Sequence, residues 1–438
     1  MRAVFSDESL VRHYLLVEAA LARAEAAVGV IPAESADAIT AVAGALEIDF
    51  DRLRHETEIV GYPILPLVHQ LSEACGEAGR FVHWGATTQD IMDTATVLQI
   101  RDALDLMSAD LQELQATLRD LSRRHRDTPM AGRTHLQQAA PISFGYKTAI
   151  WLSMIDRHID RLEQLRPRVL VGELAGAAGT LASLGDDGLK IQAAFCDEIG
   201  LAQPEITWHV ARDCLAEVIG FCGLVTGSLA KIATDVALLM TTEFGEVAEP
   251  FVKGRGASST MPQKSNPISS EVMLACAKGV RQQVALMLDG MVHDLERATG
   301  PWHTEWLAIP ETCLLTSGAL AQAKFMLAGL TVDADRMRKN LALSGGLIVS
   351  EAVMMAVAPA LGRQRAHDVV YDACRTAVTE KRALADVLVE IPCIVEALGS
   401  ADAIARACDP ANYLGLAPQM VDRMLAKHRV SDLLERVV

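Results

Sequence analysis

The chain has 438 residues, half of them apolar and only 4% aromatic, with 40 Lys and Arg against 56 Asp and Glu for a formal net charge of −16. That length supports two or three domains around a sizeable core, and the acidic balance excludes a general basic field for nucleic acid or anionic lipid. An anionic partner must instead be caught by a local cluster of cations.

The N-terminus MRAVFSDESLVRHY carries Asp7 and Glu8 where an export signal needs an apolar run, and Ser6 or Asp7 is placed to cap a helix. Nine cysteines, at 75, 196, 214, 222, 276, 313, 374, 393 and 408, include no CxxC pair. Their usage predicts reduced, buried thiols in a cytoplasmic protein. From Ile100 the apolar residues Leu104, Met107, Leu111, Leu114, Leu118 and Leu121 recur at alternating spacings of four and three. That stripe predicts one long bundle helix. The RRHR run at 123–126 reads as its solvated C-terminus. Further long helices are predicted at roughly 145–166, 211–241 and 268–292, with another beginning near Pro310.

Between them, GELAGAAGTLASLG at 172–185 has the wrong glycine order for a dinucleotide fingerprint. It reads as a turn that could line a site. The stretch from Val218 to Met240 is long enough to cross a bilayer, but Lys231 and Asp235 within it predict a protein-buried helix instead. The reading is an all-α protein of three helical domains: 1–96, a central bundle at 97–343, and a small domain at 344–438 that begins before the Gly345–Gly346 break.

The break in this helical pattern is GRGASSTMPQKSNP, residues 254–267. A phosphate loop runs from glycines straight into a helix at its lysine. Here Lys264 lies between Pro262 and Pro267, where no helix can run on unbroken. The remaining readings are an exposed linker, or a loop at 252–267 that closes over a ligand with Gly254 and Gly256 as hinges.

The order SSTMPQKSNP resembles the shared loop of the fumarase/aspartase superfamily, departing only at Ala257, where that pattern has Gly. HWGATTQDIMDTA at 83–95 and GRTHLQQAAPISFG at 132–145 resemble the family's other two shared regions. WHVARD, GPWHTEW and DPANYLG most resemble its bacterial 3-carboxy-cis,cis-muconate cycloisomerase branch. No His or Cys spacing in the chain matches a metal site, and the resemblance implies a cofactor-independent lyase that makes or breaks a bond next to a carboxylate, lactonising in that branch. It also implies a homotetramer with active sites shared between chains, acting on a small anionic di- or tricarboxylate, with no nucleic acid or membrane partner. A fumarate-releasing C–N or C–O lyase is the alternative, and a non-catalytic structural relative the remote one.

By the same resemblance Ser258 is the general base, although the residues alone do not separate it from Ser259, and a serine base requires nearby donors to stabilise its alkoxide. His135 and Glu271 are the further catalytic candidates. Lys264 and Asn266 would hold one substrate carboxylate, and Thr87, Thr88 and Gln89 a second. Arg212 is expected as a bidentate carboxylate clamp. His209 and His303 are substrate-binding candidates, and the alternative for both is packing with Trp208, Trp302 and Trp306. Two departures stand out. His135 and Glu271 replace the Trp and small residue of the cycloisomerase pattern, and ETEIVGYP at 56–63 lacks the histidine of adenylosuccinate lyases.

Overall fold

The computed structural model describes residues 1–256, 260–261, 263–297 and 299–426. Ser6 starts α1 (Asp7–Val28), its Oγ accepting from Ser9 N at 3.2 Å, and Gly29 ends it in the left-handed conformation. The short helices α2 (Ala33–Ala45), α3 (Phe50–Val60) and α4 (Ile64–Cys75) follow. They lead to the long α5 (Thr88–Arg124), in which all seven residues of the stripe from Ile100 to Leu121 are buried.

A hairpin of β1 (Pro129–Thr134) and β2 (Gln137–Ser143) interrupts the helices, with a register shift between Ala131 and Arg133. A Cβ on Gly132 at that irregularity would lie 2.5 Å from Ala140 O, so the strands can approach only because this residue is glycine. Then come α6 (Phe144–Val169), α7 (Gly188–Ile199), α8 (Asp213–Leu239), β3 (Val247–Ala248), α9 (Ile268–Gly290), α10 (Pro301–Ala328) and β4 (Thr331–Val332), with β3 and β4 paired antiparallel. Past α11 (Ala334–Leu341) the chain forms α12 (Ser350–Leu361), α13 (Arg363–Glu380), α14 (Leu384–Leu388), α15 (Pro392–Leu398), α16 (Ala401–Ala407) and α17 (Ala417–Ala426). The fold is all-α, with its few strands confined to two small pairs.

The expected start near Pro310 is corrected. The helix begins at Pro301, just after Gly300 at φ 108°, and continues through Pro310. Proline at the first helical position has no N–H to lose, which makes Gly300–Pro301 the better start signal.

The chain gathers into two compact units: residues 1–111, 158–229 and 275–321 in one, and 112–157, 230–274 and 322–438 in the other. The first holds a core that includes Tyr14, Leu21, Leu71, Ile91, Leu98 and Phe195. In the second, Val353, Val357, Val370, Leu384 and Ile394 close a core of their own beyond α11. The five long helices α5, α6, α8, α9 and α10 each supply residues to both units.

Helix α8 is long and apolar enough to cross a membrane, but 56% of its most apolar window is buried inside the chain. Lys231 and Asp235 within it pair with each other, and Asp235 also accepts from Trp151 Nε1 at 3.0 Å.

Candidate active site

Within the first unit, the turn ahead of α5 is held by a single carboxylate. Asp90, fully buried in the first turn of α5, accepts from Thr87 N at 2.8 Å, closing the helix start as a capping residue does. It also accepts from Ala175 N and Gly176 N, both at 3.0 Å, and from His209 Nε2 at 2.7 Å. The glycine-rich turn at 172–185 therefore folds back onto the start of α5.

Glu173, also buried, accepts from Trp208 N at 2.7 Å and Thr207 Oγ1 at 3.2 Å. Burial pushes the Glu173 carboxyl up to about 7, and His209 nearby holds it from rising further. Burial lowers the affinity of His209 for its proton, but the bond to Asp90 and the charge of Glu173 outweigh it and raise its pKa. Asp90, Glu173 and His209 bring one ligand atom each within 4.8 Å of one another. The N–H and hydroxyl donors already on both carboxylates make the group a hydrogen-bonded anchor for the turn.

The next turn of α5 corrects the expected role of Arg212. Its side chain is completely buried and its guanidinium is fully engaged. Nη1 and Nη2 donate to the two oxygens of Asp93 at 2.7 and 2.9 Å, while Nε and Nη2 donate to Glu305 at 2.8 and 2.5 Å. Burial works against the Arg212 cation, yet Asp93 and Glu305 leave its pKa raised. With both edges of the fork occupied, Arg212 has no free edge with which to clamp an incoming carboxylate. It is a structural tie, and removing it would strand two buried carboxylates at a cost of about 3–5 kcal/mol.

Gln89 is corrected similarly. Its amide is buried and donates to Asp93 at 3.0 Å and to His209 O at 2.8 Å, which engages its amide nitrogen within the fold.

The cation that does reach this turn was missed in the sequence. Arg297, between α9 and α10, donates to Thr87 Oγ1 at 3.0 Å and to Ala177 O at 2.9 Å. Among the described residues it has no ion pair, and its Nε is buried without a partner. His293 in the same segment has both ring nitrogens buried and unpartnered there, and burial and the charge of Arg212 lower its pKa. His209 Nδ1 and His303 Nδ1 are likewise buried and unpartnered among those residues. His303 lies 4.4 Å from the ring of Trp306 and 5.7 Å from that of Tyr62, between ring centroids. The signal for Arg297 was HDLER, a run of polar residues at a break between two apolar helices.

The second unit carries the other candidates. His135 and Leu136 form the tip of the β1–β2 hairpin with φ of 51° and 61°, and both are exposed. For side chains other than glycine such positions cost about 1–3 kcal/mol each. Ser258, with Ala257, Ser259 and Pro262, lies outside the described residues.

The loop that carries Ser258 is closed at its neck, where Asn266 N donates to Gly256 O at 3.1 Å. Gly254 and Gly256 both have positive φ, 83° and 68°. Arg255 fixes the stem, donating to Ser269 Oγ at 2.7 Å and Gln322 Oε1 at 2.6 Å, with Phe325 beneath its guanidinium at 4.5 Å. Lys264 is exposed on the loop. Glu271 is exposed in the first turn of α9, while Glu249 caps that helix by accepting from Ser269 N and Ser270 N, both at 2.9 Å.

The first unit thus holds a turn offering Thr87, Arg297 and histidines unpartnered among the described residues, and the second unit holds a hairpin and loop offering His135, Lys264 and Asn266.

In comparison with known proteins, residues 1–281 match the family described as lyase, and residues 346–424 match the adenylosuccinate lyase C-terminus. The chain belongs to this lyase family, within the fumarase/aspartase superfamily, and is an enzyme of that family. It is 48% identical to 3-carboxy-cis,cis-muconate cycloisomerase of Pseudomonas aeruginosa, over 98% of this chain and 94% of that one. It is 49% identical to trans-aconitate decarboxylase 1 of Mycosarcoma maydis, over 98% and 87%. Among solved structures, a fumarate lyase from Mesorhizobium sp. BNC1 superposes with a TM-score of 0.93 at 55% identity, covering 98% and 97% of the two chains. The 3-carboxy-cis,cis-muconate lactonizing enzyme of Pseudomonas putida gives 0.92 at 43%, covering 97% and 96%.

Proposed function

We propose that the enzyme interconverts 3-carboxy-cis,cis-muconate and its lactone, a carboxylate oxygen of the substrate adding across its own diene while a proton joins the carbon next to another carboxylate. The observation that carries this reading is the likeness, at 42–48% identity along nearly the whole chain, to proteins bearing the cycloisomerase name.

The difficult species in either direction is the carbanion, whose charge spreads into the neighbouring carboxylate and requires fixed donors and cations. In this proposal Lys264 and Asn266 hold that carboxylate. Arg297, with Thr87 and the backbone at Thr88, holds a second, taking the place first assigned to Arg212. Ser258 moves the proton at carbon and His135 assists it. Glu271 sets the charge near His135, and His209 and His303 present their unpartnered nitrogens to the substrate. The proposed enzyme is a cytoplasmic homotetramer in which different chains supply the Thr87 turn, the His135 hairpin and the 252–267 loop.

The test is ultraviolet loss of the diene, run with wild type and Ser258→Ala side by side. Wild-type turnover that disappears in the variant supports both reaction and loop. A folded wild type that leaves the diene intact would overturn the cycloisomerase reading. The second reading, fumarate release from a substituted succinate, draws support from the 55% identity to a structure titled fumarate lyase. It also draws on 39% identity to N-acetyl-S-(2-succino)cysteine lyase of Dickeya dadantii. It predicts fumarate as the product in that case.

A further inference from the structure

We propose that Arg133, Glu246 and Asn340 are positioning residues that set the direction of the His135 imidazole by over-determining the turn that carries it. The inference rests on the reading of His135 as a group that meets substrate.

Thr134 pairs with Gln137, so the hairpin reverses in two residues, His135 and Leu136, both at positive φ. A two-residue turn of that kind favours Asn and Gly, and neither His nor Leu eases it. Strained backbone of this sort persists where its surroundings allow no alternative.

Here the base of the turn is tied from both strands. On β1, two residues before His135, Arg133 places its guanidinium as a fork on Glu246, with Nη1 to Oε2 at 2.9 Å and Nη2 to Oε1 at 2.6 Å. Glu246 is fully buried, and the ring of Phe244 lies 4.2 Å from the guanidinium carbon. Asn340 Nδ2 donates to the same Oε1 at 2.7 Å and to Phe244 O at 2.9 Å. On β2, Gln138 Nε2 donates to Asn340 O at 2.8 Å. Asn340, at the end of α11, is thus bonded both to the carboxylate that grips β1 and to the side chain that grips β2.

Glu246 is itself fixed through its backbone, N to Leu239 O at 2.9 Å and O from Asp333 N at 3.0 Å. The fork is planar and bidentate, so it fixes angle as well as distance. His135 makes no hydrogen bond of its own among the described residues, so the turn alone sets the direction in which its side chain leaves the backbone.

The test compares wild type with Asn340→Ala, Glu246→Gln, Arg133→Lys and His135→Ala, using full-length protein carrying ¹³C-labelled histidine. The His135 resonance is the one that His135→Ala removes. Asn340→Ala is expected to shift or broaden it and to lower kcat for carboxymuconate by roughly tenfold or more, the scale of a small misplacement, with KM nearly unchanged. Arg133→Lys keeps the charge without the fork and should fall between wild type and Glu246→Gln. If Glu246→Gln does not fold, the neutral Asn340→Ala carries the comparison.

An unmoved His135 resonance in folded Asn340→Ala overturns the proposal. So does wild-type kcat in that variant when His135→Ala is inactive. Full activity in His135→Ala would instead remove the reading of His135 itself, while the resonance would still report whether the turn is held as proposed.

Discussion

Glu25 is buried in α1 with neither carboxylate oxygen partnered among the described residues. Burial, with Glu18 adding repulsion from the same helix, pushes its carboxyl up to about 9. The folded chain therefore keeps Glu25 protonated through a pH range in which the unfolded chain has released that proton. Its contribution is fully present below the ordinary carboxyl value near 4.5 and is lost as pH rises toward 9, with a slope of at most about 1.4 kcal/mol per pH unit. Glu25→Gln should flatten the decline of stability between pH 5 and pH 9, as followed by urea midpoints at stepped pH. Because burial also lifts the Glu173 carboxyl to about 7, within the same window, the readout is the difference between the two profiles. Parallel profiles would mean that Glu25 finds a partner or water. Nothing about Glu25 in the sequence announces this, since Glu18 and Glu25 look like ordinary polar positions until α2, α7 and the turn at His83 fold over them.

At the scale of elements, the neck of the 252–267 loop turns on one missing methyl group. A Cβ at Gly256 would lie 2.8 Å from Asn266 O, at a φ of 68° that an L side chain resists. Gly256→Ala is expected to lower kcat/KM at least tenfold by displacing Asn266 and Lys264, the scale of small misplacements. Global stability should fall by no more than about 2 kcal/mol. Activity at the wild-type level would show that the neck can open without consequence.

Much of this layer was legible in advance. The alternating stripe gave α5, and the long apolar segments gave α6, α8 and α9 to within a few residues. The hairpin at 129–143 was not, because THLQ lacks the Asn-Gly chemistry that signals a tight turn. Arg212 illustrates the limit for the site. Its type and motif suggested a clamp, but the two carboxylates that neutralise it lie 119 and 93 residues away in the chain, and only the fold brings them together.

For the whole molecule, the long helices leave apolar side chains uncovered. Leu224 on α8, Leu288 on α9 and Leu307 on α10 are 53%, 56% and 66% exposed. Helices that alternate buried and exposed leucines in this way are the expected surfaces of a shared bundle between copies. Sedimentation should give a mass of four chains, and Leu307→Glu should yield smaller species without turnover. A monomer retaining full turnover would contradict the shared-site proposal.

The interleaving of the two units has a practical side. A protein built as beads on a string can be trimmed to one working bead, but here a cut anywhere between Gln112 and Ala321 leaves residues of both units in each fragment. Fragments made by such a cut would be insoluble alone and regain structure only when mixed. New termini are best opened at Gly362, between α12 and α13, where an added Cβ meets no atom within 4 Å and the central helices stay whole.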